Sequence, residues 1–183
     1  MAGESRARHP GRVLKAVTFV GPSGAGKTTL IEALCPMLRG AGRRVGFLKS
    51  DAHSFEMDRE GKDTDRMFRA GAERVAIASA TEGALRFRLD RKDPGRLIEE
   101  LFPACDLVLV EGFKTSPLPK IEVRRDAALA PVLASHDASL LAVVSRFPDP
   151  RPCPRFEPED IDGITRFLLA WCGESVGRRP PNR

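Results

Sequence analysis

Lys27 and Thr28 close the run Gly21-Pro22-Ser23-Gly24-Ala25-Gly26-Lys27-Thr28, which fits the pattern G-x-x-x-x-G-K-[ST]. The spacing has a physical purpose. Glycines let successive backbone N–H groups turn inward around a phosphate, and the N-terminus of a following helix adds partial positive charge. Lys27 would reach the β- and γ-phosphates, the Thr28 hydroxyl would bind Mg²⁺, and Thr29 extends the nucleotide-binding stretch. A second chemical position lies far along the chain, in Asp106-Leu107-Val108-Leu109-Val110-Glu111-Gly112. So apolar a run reads as a central parallel strand buried on both faces. A carboxylate at its end is costly unless it is paired or coordinates metal. Glu111 therefore reads as a Mg²⁺ carboxylate in the Walker B role, the alternative being a structural salt bridge. Lys114 follows closely enough to pair with Glu111 or to meet a ligand phosphate.

The elements that must position these groups can be read around them. Residues 13–20 form an apolar first strand, and from Lys27 onward Leu30, Ile31, Leu34, Leu38 and Ala41 recur at helical spacing, with Pro36 inside. A second strand covers residues 44–49. It opens into a polar loop, residues 50–61, carrying Asp51, His53, Glu56, Asp58 and Glu60. A loop leaving the carboxyl end of such a strand faces the ligand crevice, so it is a candidate switch or substrate loop. Asp63 reads as the N-cap of a helix through Ala70. Residues 74–79 and 85–89 flank Thr81-Glu82-Gly83 as a hairpin, and Asp93-Pro94 opens a helix that Pro103 stops. Residues 121–123 and 140–144 read as further strands. After them comes a Pro-rich loop where G proteins place an N-K-x-D guanine reader, and that reader is missing; Asp149 is the nearest group that could accept from a guanine edge, with a surface turn as the favoured reading and backbone groups of the loop as another source of selectivity. Pro158 opens a last helix with Ile161, Ile164, Phe167, Leu168 and Trp171 on its core side.

Length and composition narrow the classes. A chain of 183 residues with 42% hydrophobic content suits one well-cored domain, residues 13–172, between a basic N-terminal segment, residues 1–12, and a Pro-rich tail, residues 173–183, both expected to be disordered. No apolar run approaches the roughly 18 residues of a membrane span, and the N-terminus lacks the apolar core of a signal peptide. A cytoplasmic protein is expected. Cys35, Cys105, Cys153 and Cys172 form no C-x-x-C pair, which argues against a zinc site or disulfide framework. The net charge of +5 permits nucleic-acid binding, but no surface interleaving aromatic and basic residues is visible and Tyr is absent, so that class is set aside.

Three blocks together resemble the molybdopterin-guanine dinucleotide biosynthesis protein B (MobB-like) family of P-loop proteins. They are residues 21–28; the stretch from Lys49-Ser50-Asp51-Ala52-His53 to Gly61-Lys62-Asp63-Thr64, with the later Arg69-Ala70-Gly71-Ala72; and Val108-Leu109-Val110-Glu111-Gly112-Phe113-Lys114. One departure is Ser50, where the family commonly has His. The resemblance implies a homodimeric GTP-binding protein with weak GTPase activity, an adapter to the nucleotidyltransferase that attaches GMP to molybdopterin. Likeness to dethiobiotin synthetase implies that Asp63 joins Thr28 and Glu111 around Mg²⁺, making Lys27, Asp63 and Glu111 the catalytic set. The fold expected is a three-layer α/β P-loop domain with a mostly parallel sheet and an antiparallel hairpin addition. An ATP-dependent small-molecule kinase or ligase remains the alternative, in which His53, Asp58, Lys62 and Lys114 would hold an acceptor. No cis arginine finger or water-positioning glutamine is visible beside the loop.

Overall fold

The computed structural model describes residues 14–50, 59–125, 127, 131–133 and 137–173. The expected disordered N-terminal segment, residues 1–12, all of the expected tail, residues 173–183, except residue 173, and the core of the polar loop, residues 51–58, lie outside the described residues. The chain forms two compact units, one from residues 1–50 with 94–183 and a smaller one from residues 51–93.

The larger unit is built on six parallel strands: β1 (Lys15–Val20), β2 (Val45–Lys49), β5 (Leu107–Glu111), β6 (Lys120–Arg124), β7 (Leu140–Ser145) and the short β8 (Arg155–Phe156). Their order is β2-β5-β1-β6-β7-β8. Side chains alternate between the two faces of a strand, and the two core clusters divide accordingly. Val17, Phe19, Leu107 and Leu109 pack with Leu30, Ile31, Leu34 and Leu38 of helix α1 (Lys27–Gly40) and with Ile164 and Leu168 of α4 (Ile161–Trp171). Val108 and Val110 instead pack with Ile98 and Phe102, placing α3 (Pro94–Leu101) on the opposite face. The result is the expected three-layer α/β architecture.

α1 continues through Pro36, and β5 is buried along its whole length, as its apolar run requires. The C-terminal side holds one strand the sequence did not announce and one helix start that needs correction. Just past the Pro-rich loop, β8 pairs Arg155 and Phe156 with Val143 and Val144. The last helix begins at Ile161 rather than at Pro158, because Asp160 is its N-cap and accepts the Gly163 N–H at 2.9 Å.

The smaller unit contains α2 (Asp63–Arg69) and the antiparallel pair β3 (Arg74–Ala78) and β4 (Gly83–Phe87). Asp63 is not the cap of α2. Lys62 holds the N-cap position with extended backbone, and Asp63 is the first helical residue, paired at 3.7 Å with Arg66 while its side chain stays 98% exposed. The buried carboxylate is Asp65, which accepts the Gly61 N–H at 3.0 Å and pairs with Arg69 and Arg86. Those bonds, the Gly61 N–H foremost, hold its carboxyl below the ordinary range. Arg86 and Arg88 also lie over the Phe68 ring, 4.0 and 4.4 Å from its centroid. The alternating arginines of the hairpin thus clamp it to α2.

Candidate functional site

Period-two alternation decides where Glu111 points. It shares a face of β5 with Leu107 and Leu109, the face covered by α1, and Thr28 lies in the first turn of α1. The Thr28 hydroxyl donates to Glu111 Oε2 at 2.7 Å. Parallel register places Lys49 beside Glu111, and the Lys49 ammonium lies 3.6 Å from Oε1. Glu111 is 9% exposed, so the two contacts answer the cost of burying its charge.

The loop between β1 and α1 has the conformation that its glycines make possible. At Gly21, φ is 151° and an added Cβ would sit 2.2 Å from the Val123 carbonyl oxygen, so no other residue fits against the end of β6. Gly26 occupies the α1 N-cap with φ 91°, supplies no side-chain cap, and is followed by a first turn without an acidic residue. The positive end of α1 is therefore available to an anion. Lys27 folds back across the loop and donates to the carbonyls of Gly21 at 3.1 Å and Pro22 at 2.8 Å, which leaves one of its three N–H donors. Gly21, Pro22, Ser23, Gly24, Ala25, Gly26, Lys27, Thr28 and Thr29 thus form one continuous turn and helix start.

The donor chemistry fits Mg²⁺. No group of three His, Cys, Asp or Glu able to hold a metal occurs among the described residues. Mg²⁺ does not need one, since it keeps several waters and binds through one or two protein oxygens together with substrate phosphates. Thr28 Oγ1 and Glu111 Oε2 are such a pair. Asp63 belongs to the smaller unit.

Other candidates divide. His53 and Asp58 lie outside the described residues. Lys62 and Lys114 are exposed, and the ammonium nearest Glu111 is that of Lys49. The sequence gives no register between β2 and β5, so only the end positions of Lys49 and Glu111 in their strands could have hinted at it. Beside the loop, Arg125, just past β6, donates to the Gly24 carbonyl at 3.3 Å.

Asp149 cannot be the guanine reader. One of its oxygens accepts from Arg124 and Arg151, each at 2.8 Å, and the other accepts the Arg151 Nε at 2.7 Å and its N–H at 3.1 Å. Arg151 continues to the fully buried Glu122 at 2.5 Å, whose carboxylate also takes the N–H groups of Val132 and Leu133. The Arg151 hydrogen bonds hold the Asp149 carboxyl far below its ordinary range and, in turn, raise the guanidinium. This closed chain of charges shapes the end of β6.

Beside the phosphate loop a groove of about 600 Å³ opens between the first turn of α1, the ends of β6 and β7, and the start of α4. Gly26 and Thr29 belong to its wall, as do Arg125, Arg146 and Glu159. Arg146 and Glu159 form an ion pair across it.

A parallel sheet with this strand order, a glycine-rich anion loop after β1 and a carboxylate hydrogen-bonded to the loop threonine define a P-loop NTPase-type α/β protein. Residues 16–146 match the family described as molybdopterin guanine dinucleotide synthesis protein B, and the chain belongs to that family. It is 35% identical over 163 residues to the molybdopterin-guanine dinucleotide biosynthesis adapter protein of Haemophilus influenzae, covering 88% of this chain and 91% of that one. The adapter protein of the same description from Escherichia coli is 31% identical over 178 residues, covering 90% and 97%. A crystal structure of molybdopterin-guanine biosynthesis protein B (mobB) superposes with a TM-score of 0.70 at 28% identity, covering 87% of this chain and 99% of that one.

Proposed function

We propose that this chain is a GTP-binding adapter in molybdenum cofactor biosynthesis, with slow Mg²⁺-dependent GTPase activity, that assists a nucleotidyltransferase in attaching GMP to molybdopterin. The observation that carries the nucleotide reading is the 2.7 Å bond from Thr28 to Glu111 under the loop crossed by Lys27. In that arrangement the loop N–H groups and the α1 N-terminus hold phosphate oxygens, and Lys27 turns its remaining donor toward the terminal phosphates. Thr28 and Glu111 hold Mg²⁺, which when bound neutralises charge on the β- and γ-phosphates. Asp63 is proposed to join them. Slow turnover fits a chain that contains no glutamine to orient a water.

The adapter role and the molybdopterin pathway rest on the relatives named above. Among the described residues no helix is long and apolar enough to cross a membrane, and a cytoplasmic location is part of the proposal. So is a homodimer, supported by Met67, Ile77, Leu85 and Leu89, which the smaller unit leaves exposed.

Calorimetric titration with GTP·Mg²⁺ tests the reading in Lys27→Ala. Loss of a charge-assisted phosphate contact is expected to weaken binding on the order of 100-fold, with little change in the melting temperature because no core packing is removed. Wild-type affinity in the variant refutes the phosphate loop. Turnover of about 1 to 100 s⁻¹ with a small acceptor and ATP would instead establish the kinase alternative.

A further inference from the structure

We propose that Glu159, held by Arg146 in the groove beside the phosphate loop, reads the guanine edge of the bound nucleotide. This deepens the GTP reading above and rests on it. The starting point is continuity: Gly26 and Thr29 lie both in the phosphate-binding turn and in the wall of the groove, so a nucleoside attached to phosphates there has this space directly beside it. Its volume of about 600 Å³ suits a base and ribose, and Leu30, Val123 and Val144 supply apolar wall.

Elimination then narrows the polar groups. The chain has no glutamine, and its one asparagine, Asn182, lies outside the described residues. Asp149 is consumed by Arg124 and Arg151. Arg125 is bonded to the Gly24 carbonyl. The carboxylate that lines the groove is Glu159, and Arg146 is its partner.

Guanine presents two adjacent donors, N1–H and the 2-amino group, beside the O6 acceptor, whereas adenine presents an acceptor at N1. An ionised carboxylate only accepts, and its two oxygens carry about four lone-pair positions, so a bond from Arg146 leaves capacity for both guanine donors. Adenine would set its N1 lone pair against that charge, which is a repulsive discrimination. Arg146 retains further N–H donors of the kind O6 accepts. The same guanidinium bond holds the Glu159 carboxyl below its ordinary value, keeping it an acceptor. Both partners are largely exposed, so folding gains little from the pair and its place in the groove needs another reason.

The test is calorimetric titration of the full chain and of Glu159→Gln with GTP, ATP, XTP and inorganic tripolyphosphate, all with Mg²⁺. The wild type is expected to prefer GTP to ATP by about tenfold, the worth of one hydrogen bond to a charged acceptor at a partly exposed site. In Glu159→Gln, GTP binding falls by a similar factor and XTP binding rises, because the new amide N–H₂ donates to the xanthine 2-oxygen. Tripolyphosphate binds both proteins equally, which certifies the folded loop. A variant with wild-type GTP, ATP and XTP ratios overturns the role of Glu159. Arg146→Ala supplies a second readout, and unchanged base preference there counts equally against the pair. A wild type that binds tripolyphosphate but treats GTP and ATP alike overturns the GTP reading itself, a result separate from any behaviour of the variants.

Discussion

On one side of β1, Glu111 ends β5 and shares its carboxylate between a hydroxyl and a lysine 3.6 Å away. On the other side, Glu122 of β6 is fully buried and joined through Arg151 and Asp149 to Arg124, with every one of these four side chains bonded and none more than 9% exposed. Both regions put acid and base at the ligand-facing end of one sheet. Only the first leaves capacity for something else. A bound metal or phosphate requires donors whose valence is unfinished, whereas a closed ion network is complete without a ligand. Partner satisfaction, not charge, separates a binding site from a buttress here.

The contrast can be broken first at the buttress. Arg151→Met leaves Glu122 and Asp149 buried with fewer counter-charges, and breaking such a pair costs about 3–5 kcal/mol, a large share of a typical domain's stability. Denaturant unfolding should show this loss, while the folded fraction still binds tripolyphosphate with wild-type affinity. A loss below about 1 kcal/mol would show that the network is not the buttress described. The same region should respond to acid. Because its arginine partners depress the folded Asp149 carboxyl, its stabilisation is present above the ordinary Asp value of about 3.9 and is lost as pH falls below it toward the folded value. Arg151→Met should flatten that part of the stability-against-pH curve.

A smaller effect is expected from Glu111→Gln, which keeps size and removes charge. Mg²⁺-dependent triphosphate binding should weaken by roughly tenfold, the Mg²⁺-free affinity much less, and the fold should hold because the carboxamide still accepts from Thr28. Equal losses with and without metal would return Glu111 to the class of structural ion pairs. The smallest expected stability effect belongs to Asp63→Asn. Its carboxylate is solvent-exposed, so the melting temperature should not move measurably, and any loss should be confined to Mg²⁺-dependent binding. Indifference of that binding to the change would remove Asp63 from the metal.

The difference between the two regions also marks what the sequence could reveal. The loop at residues 21–28, the buried β5 and Glu111 at its end were legible because each is encoded within one short run. The closed network was not: Asp149 looked available because Arg151 is two residues away in a Pro-rich stretch and Arg124 is brought in only by the β6–β7 pairing. β8 escaped notice for a related reason, since two residues among prolines carry no periodicity and become a strand only by bonding to β7. Asp63 and Asp65 are both acidic in the first turn of α2, and local capping preference cannot tell which one Gly61, Arg69 and Arg86 will enclose. Lys49 and Arg125 are likewise products of register.

Past Glu111 the backbone enters the left-handed region twice, at Gly112 with φ 95° and then at Phe113 with φ 47°. For a residue with a Cβ that conformation costs on the order of 1–3 kcal/mol, and the Phe113 ring packs with the cluster of Ile98, Val108 and Val110 on the α3 face. The aromatic ring thus works as a latch on the reverse side of the sheet, setting the heading at which the chain departs from the carboxylate. A polar residue at 113 would leave all the oxygens of the front side chemically intact and still release the latch, so fidelity of the phosphate end depends in part on apolar packing on the opposite face of the sheet.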